Sequence, residues 1–125
     1  MKMTPFGLKL RSLRQNKNIS ISELAKVLKV STPYLSMLEH GKRGKPPNGM
    51  VELICAYFGL IWDDSEDLKN AANISDTNVQ INTRSLGINA TILTNVLKNN
   101  IKWLNDDELS DLTKKILTIA HNNQK

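Results

Sequence analysis

Cysteine is nearly missing from this 125-residue sequence: Cys55 stands alone, so no disulfide forms within the chain. A zinc site takes about four ligands, and one cysteine with two distant histidines, His40 and His121, supplies no such set. Neither a metal nor any other cofactor is expected. No apolar run approaches the length of a membrane helix, about 18 residues, and the amino-terminal segment lacks a signal-peptide pattern. A soluble, cytoplasmic protein without membrane contact is the expectation. The sequence also has no Ser/His/Asp set, no glycine loop of the kind that cradles phosphate and no isolated carboxylate pair, so it does not read as an enzyme.

Charge, by contrast, is plentiful and unevenly placed. The net charge is +5 at pH 7. Up to Pro47, ten Lys and Arg stand against only Glu23 and Glu39, a net of +8. From Asn48 onward seven stand against ten acids, a net of −3. A basic amino-terminal part beside an acidic remainder points to a polyanionic partner for the first part alone.

The most informative stretch runs from Ser20 to Lys45. Leu24, Ala25 and Leu28 share one face of a short helix beginning near Ser20. Lys29-Val30-Ser31 is a tight connection. A second short helix, Thr32 to His40, turns Leu35 and Leu38 inward. Ser31 caps it, Pro33 sits in its first turn, where a missing N–H costs nothing, and Gly41 supplies a left-handed stop. Two helices set at an angle by so short a turn make a helix-turn-helix, which presents its second helix to a DNA major groove. The loop that follows, Gly41 to Asn48, carries Lys42, Arg43 and Lys45 among glycines, a composition that can follow a phosphate backbone.

These residues carry a resemblance. Ile19 to Gly41 resembles the lambda-repressor-like, or XRE-type, helix-turn-helix family, in which Ser20, Glu23, Leu24, Ala25, Leu28, Val30, Ser31, Ser36, Glu39 and Gly41 match outright. Ile19, Leu35 and Leu38 match in type. Phe6-Gly7 through Arg14 is similar to the family's first helix, and the likeness extends over about residues 4 to 73. Two positions depart from it. Ile21 stands where the family has a Gln that holds the DNA backbone. Lys29 stands where it has a turn glycine, so Lys29 is expected to adopt a left-handed backbone at a cost on the order of 1 kcal/mol.

The resemblance implies an all-α, five-helix lambda-repressor-like DNA-binding domain over residues 1–73. It implies a sequence-specific DNA-binding transcriptional regulator, a repressor that binds a two-fold operator as a homodimer. It places base-reading side chains at Thr32, Pro33, Met37 and Ser36, and a structural ion pair at Arg14 and Glu39. None of the four outward positions is Arg, Gln or Asn, so bidentate base hydrogen bonds are missing. Thymine-methyl contact and DNA shape are expected to carry specificity instead. Tyr34 either reaches DNA or shields the core edge. Ser20, Ser22, His40, Lys42, Arg43 and Lys45 are candidate phosphate contacts.

Beyond the motif, Val51, Ile54, Cys55 and Phe58 form the apolar stripe of a fourth helix starting near Pro47. A fifth, Ile61 to Ala72, opens with Asp63, Asp64, Glu66 and Asp67, where acids suit the helix dipole. Trp62 is expected to anchor into the core. Residues 74–87 read as a linker with a short strand at Val79–Thr83. Residues 88–125 read as a C-terminal helical hairpin. Leu93, Val96, Leu97 and Ile101 or Leu104 point inward from its first helix, and Leu109, Leu112, Ile116 and Ile119 form the seam of its second. That seam needs a cover. Either the hairpin is a dimerisation element, or it binds another protein, as in antitoxins of toxin–antitoxin pairs.

Overall fold

The computed structural model describes residues 3–124. They form α1 (Pro5–Lys17), α2 (Ile21–Leu28), α3 (Thr32–Glu39), α4 (Asn48–Phe58), α5 (Trp62–Asn73), α6 (Ile88–Asn100), a 3-10 turn at Ile101–Trp103, and α7 (Asp106–Asn123). The chain divides into two compact units, one up to Val79 and one from Gln80 on.

The first unit is a five-helix cluster. Its core draws Phe6 and Leu10 from α1, Leu24, Ala25 and Leu28 from α2, and Leu35 and Leu38 from α3. Val51, Ile54, Cys55 and Phe58 from α4 and Leu68 and Ala72 from α5 complete it. α1 packs on α3 and α5, α2 on α3 and α4, and α4 on α5. Local sequence explains the boundaries. Thr4 caps α1 by accepting from the Gly7 N–H, and Pro5 opens it. Ser20 and Glu23 form a capping box at α2. Lys29 ends α2 at φ 59°, the left-handed conformation expected of a residue replacing glycine. Gly41 follows α3 at φ 76°, and the Lys42 N–H reaches the Met37 carbonyl at 2.9 Å, closing the helix end.

Trp62 corrects an expectation: it is 84% exposed rather than anchored in the core. It occupies the first position of α5 with φ 53°, and the face that α5 buries holds Leu68, Ala71 and Ala72 instead. Its character as a large aromatic suggested a core anchor, but Trp62 begins the helix with a left-handed backbone and stays in solvent.

Where the two units meet in sequence the expected strand is absent: the described residues include no strand, and residues 79–83 have no regular secondary structure. Side-chain turns bracket this stretch. The Asp76 carboxylate accepts from the Asn78 N–H and the Asn82 carbonyl from the Arg84 N–H, each at 3.0 Å, and such local bonds compete with a ladder. α6 and α7 form where expected, and Asn105 with Glu108 makes a capping box for α7. Yet neither helix has a buried residue: Leu93, Val96, Leu97 and Ile101 are exposed, as are Leu112, Ile116 and Ile119 of the α7 seam, and Leu109 is half-buried. The physical reason is that α6 packs on the 3-10 turn that follows it and has no comparable packing on α7, so neither apolar stripe covers the other.

Candidate nucleic-acid interface

α3 carries the candidate reading face. Leu35, Leu38 and Glu39 are buried on one side. Thr32, Ser36, Met37 and His40 are half-buried and Pro33 is exposed on the rest of the helix surface. Ser31 accepts from the Tyr34 N–H at 3.2 Å and fixes the helix start. Thr32 Oγ1 and Ser22 Oγ stand 3.5 Å apart, too far for a strong hydroxyl bond but close enough to share one edge. That edge joins the first turn of α3 to the first turn of α2, where Ser20 also sits. Helix N-termini of this kind suit phosphate.

The other end of α3 is built differently. The His40 ring Nδ1 lies 2.9 Å from the Ser36 carbonyl. A carbonyl only accepts, so Nδ1 carries the hydrogen and Nε2 remains free for another partner. Ser36, Met37, His40 and Lys42 line a shallow recess of about 160 Å³. Lys42, Arg43 and Lys45 are exposed on the loop beyond. Tyr34 is half-buried against the core, and the Arg43 guanidinium lies 5.3 Å from its ring centroid. Of the two roles weighed for Tyr34, the packing fits the shielding of the core edge, and its ring in addition seats a loop cation.

Arg14 and Glu39 set the angle of α3. Arg14 Nε and Nη2 donate to the Glu39 carboxylate at 3.3, 3.4 and 3.1 Å, with the two side chains only 11% and 2% exposed. This forked contact is the expected ion pair. It neutralises a buried carboxylate and locks α1 to α3.

Sequence reasoning missed a second clamp on the same helix. The Thr4 N–H and hydroxyl both donate to the Glu39 carbonyl, each at 3.1 Å. Gly7 packs so close that a Cβ there would lie 2.0 Å from that carbonyl oxygen. From the far end of the unit, Ser75 Oγ accepts from the Phe6 N–H at 2.9 Å, and the Thr77 hydroxyl donates to the Gly41 carbonyl. Ser75 and Thr77 lie in a polar stretch with no periodicity, so nothing local marked them. Only Phe6-Gly7 carried a signal.

Three comparisons bear on this geometry. The family described as "Helix-turn-helix domain" matches residues 5–68, which span α1 to the middle of α5. Among curated proteins, the "Uncharacterized HTH-type transcriptional regulator RghRB" of Bacillus subtilis is 35% identical over 62 residues, 50% of this chain and 45% of that protein. The "HTH-type transcriptional repressor RghR" of the same organism is 32% identical over 65 residues, 48% of each chain. This chain therefore spans about half the length of the curated relatives it matches. No solved structure matches it. With the motif helices, their caps and the forked ion pair in place, the chain belongs to the XRE-like helix-turn-helix family of DNA-binding transcriptional regulators.

Proposed function

We propose that the protein is a sequence-specific repressor that binds a two-fold operator as a homodimer. The observation that carries the reading is the surface of α3, uncharged where a helix would meet bases and bordered by Lys42, Arg43 and Lys45. Thr32, Pro33, Ser36 and Met37 contact base edges. Met37 and Pro33 favour thymine methyls, and Thr32 and Ser36 supply single hydrogen bonds. Ser20, Ser22, His40 and the three loop cations hold phosphates and fix the register. Two such units read half-sites about 34 Å apart on one face of the duplex. Acting on chromosomal DNA places the protein in the cytoplasm.

Pairing through the second unit supplies the two-fold symmetry. Ile88, Ile92, Leu93, Val96, Leu97, Ile101, Leu112, Ile116, Leu117 and Ile119 are exposed there. At roughly 100 Å² each they present on the order of 1,000 Å² of apolar surface, close to what one partner gives to a stable interface. A second reading draws on the same surface: a different protein covers it, and DNA binding serves that complex. Light scattering on the purified full chain separates the two, because a self-covered dimer supports the first and a monomer that aggregates or awaits a partner supports the second.

The decisive experiment selects bound duplexes from a random pool at near-physiological salt. Enrichment of a pseudo-palindromic, A·T-containing site supports the proposal. Binding that never exceeds the affinity for bulk DNA sinks it.

A further inference from the structure

His40 ends the reading helix with one ring nitrogen already committed. Its Nδ1 lies 2.9 Å from the Ser36 carbonyl, one turn back. A carbonyl oxygen only accepts, so Nδ1 is the N–H of the neutral ring and Nε2 carries the bare lone pair. That bond fixes what the ring can offer a ligand. While neutral, Nε2 is an acceptor, and a lone pair set against a phosphate oxygen is repelled by it. Only the imidazolium, with a hydrogen on both nitrogens, donates to phosphate. A phosphate contact by His40 therefore exists in one protonation state alone.

We propose that DNA binding takes up a proton at His40 Nε2, so that affinity for duplex DNA rises as the pH falls. The inference rests on the reading of α3 as the DNA-facing helix. The surroundings of His40 make DNA the anion that imidazolium would meet. Among the described residues His40 forms no ion pair. Up to Pro47 the acids are Glu23 and Glu39. Glu39 is buried and held by Arg14 of α1, and Glu23 of α2 closes the Ser20 capping box. From the segment behind α5, Asp76 lies against Gly44 and accepts from the Asn78 N–H. The cations are placed as follows. Lys42 lines the recess with His40, Ser36 and Met37. Arg43 sits over the Tyr34 ring. Lys9, Arg11 and Lys17 of α1 and Lys26 of α2 are exposed. A phosphate entering the recess thus faces Lys42 and the free nitrogen of His40 together. The sign follows. The complex holds the proton and the free chain releases it as pH rises, so affinity falls with rising pH, by at most about tenfold per pH unit for each chain bound. Histidine side chains change charge between about pH 5 and 8, which sets the window.

The experiment titrates the full chain with a short mixed-sequence duplex across that window at constant ionic strength, and reads affinity by fluorescence anisotropy. Mixed sequence suffices, because a phosphate contact does not depend on the bases. His40→Gln keeps an amide that donates at every pH and removes the titration. His121→Gln removes the other histidine. The unchanged chain and His121→Gln should both lose affinity several-fold per pH unit as pH rises, and His40→Gln should bind with a much flatter profile. A second measurement needs no variant. Nitrogen-15 spectra of the free chain at the alkaline end should show His40 as the Nδ1–H tautomer. The inference is overturned if the unchanged chain binds with a flat profile, if His40→Gln keeps the full pH dependence, or if the neutral ring is the Nε2–H tautomer. Each of those results leaves the reading of α3 standing. A chain that binds no duplex at any pH removes both.

Discussion

Removing Arg14 should be among the most damaging single changes in the first unit. The Glu39 carboxylate is almost wholly buried, and among the described residues its hydrogen bonds come from Arg14 alone. Arg14→Ala would leave that charge in the interior without a counterion, a situation that costs about 3–5 kcal/mol. A domain of this size has a total stability on the order of 4–12 kcal/mol, so the loss takes a large share of it. At about 4–8 °C per kcal/mol, the melting temperature should fall by roughly 12–40 °C. The protein contains its own control. Lys69 and Glu52 also form an ion pair, at 3.4 Å, but their side chains are 39% and 67% exposed. Lys69→Ala should therefore cost less than about 1 kcal/mol. The double change Arg14→Met with Glu39→Leu should cost less than Arg14→Ala, because no charge is left stranded. Urea unfolding followed by far-ultraviolet circular dichroism reads all three through the midpoint at constant slope. Equal losses for Arg14→Ala and Lys69→Ala would show that burial does not amplify the first pair, and the argument for it would fail.

Other substitutions probe separate links of the chain of reasoning. Gly7→Ala drives a Cβ into the Glu39 carbonyl, against backbone that cannot swing away, and should cost about 1–3 kcal/mol in the same unfolding assay. Lys29→Gly relieves the left-handed strain at the end of α2 and should raise stability by up to about 1 kcal/mol. Changing Lys42, Arg43 and Lys45 together to alanine should weaken binding to all duplexes alike. If each cation meets one phosphate, the slope of log affinity against log salt should drop by about 2.7. Met37→Ala should instead redistribute the preferred bases in the selected pool while leaving that slope unchanged.

Much of the first unit was legible because its signals are local. Thr4-Pro5, the Ser20–Glu23 box, Ser31 and Gly41 each declare a helix end within a few residues, and the apolar spacing of α2 to α4 declares what they bury. The Arg14–Glu39 pair was readable only because a family pattern pointed at it, since 25 residues separate the partners. Ser75 bonding Phe6 across 69 residues left no such trace. Trp62 failed for another reason. Its inward placement rested on residue type, a large aromatic being a usual core anchor, and residue type does not report the left-handed backbone with which Trp62 begins its helix. The stretch Val79–Thr83 alternates as a strand does, but alternation describes one edge and cannot supply a second. In α6 and α7 the pattern located the helices correctly, whereas the identity of whatever covers them is not encoded within either helix.

The positions of Ser75 and Thr77 have a practical consequence for anyone trimming this chain. A fragment cut where the family match ends, at Leu68, or where α5 ends, at Asn73, would lose the hydroxyl that Phe6 leans on and the latch on Gly41. Such a fragment should fray at its amino-terminal turn and loosen the exit of α3, and its weak grip on DNA would be mistaken for the absence of a carboxy-terminal partner. Scissors belong after Asn78, where the last of these stitches has already been made.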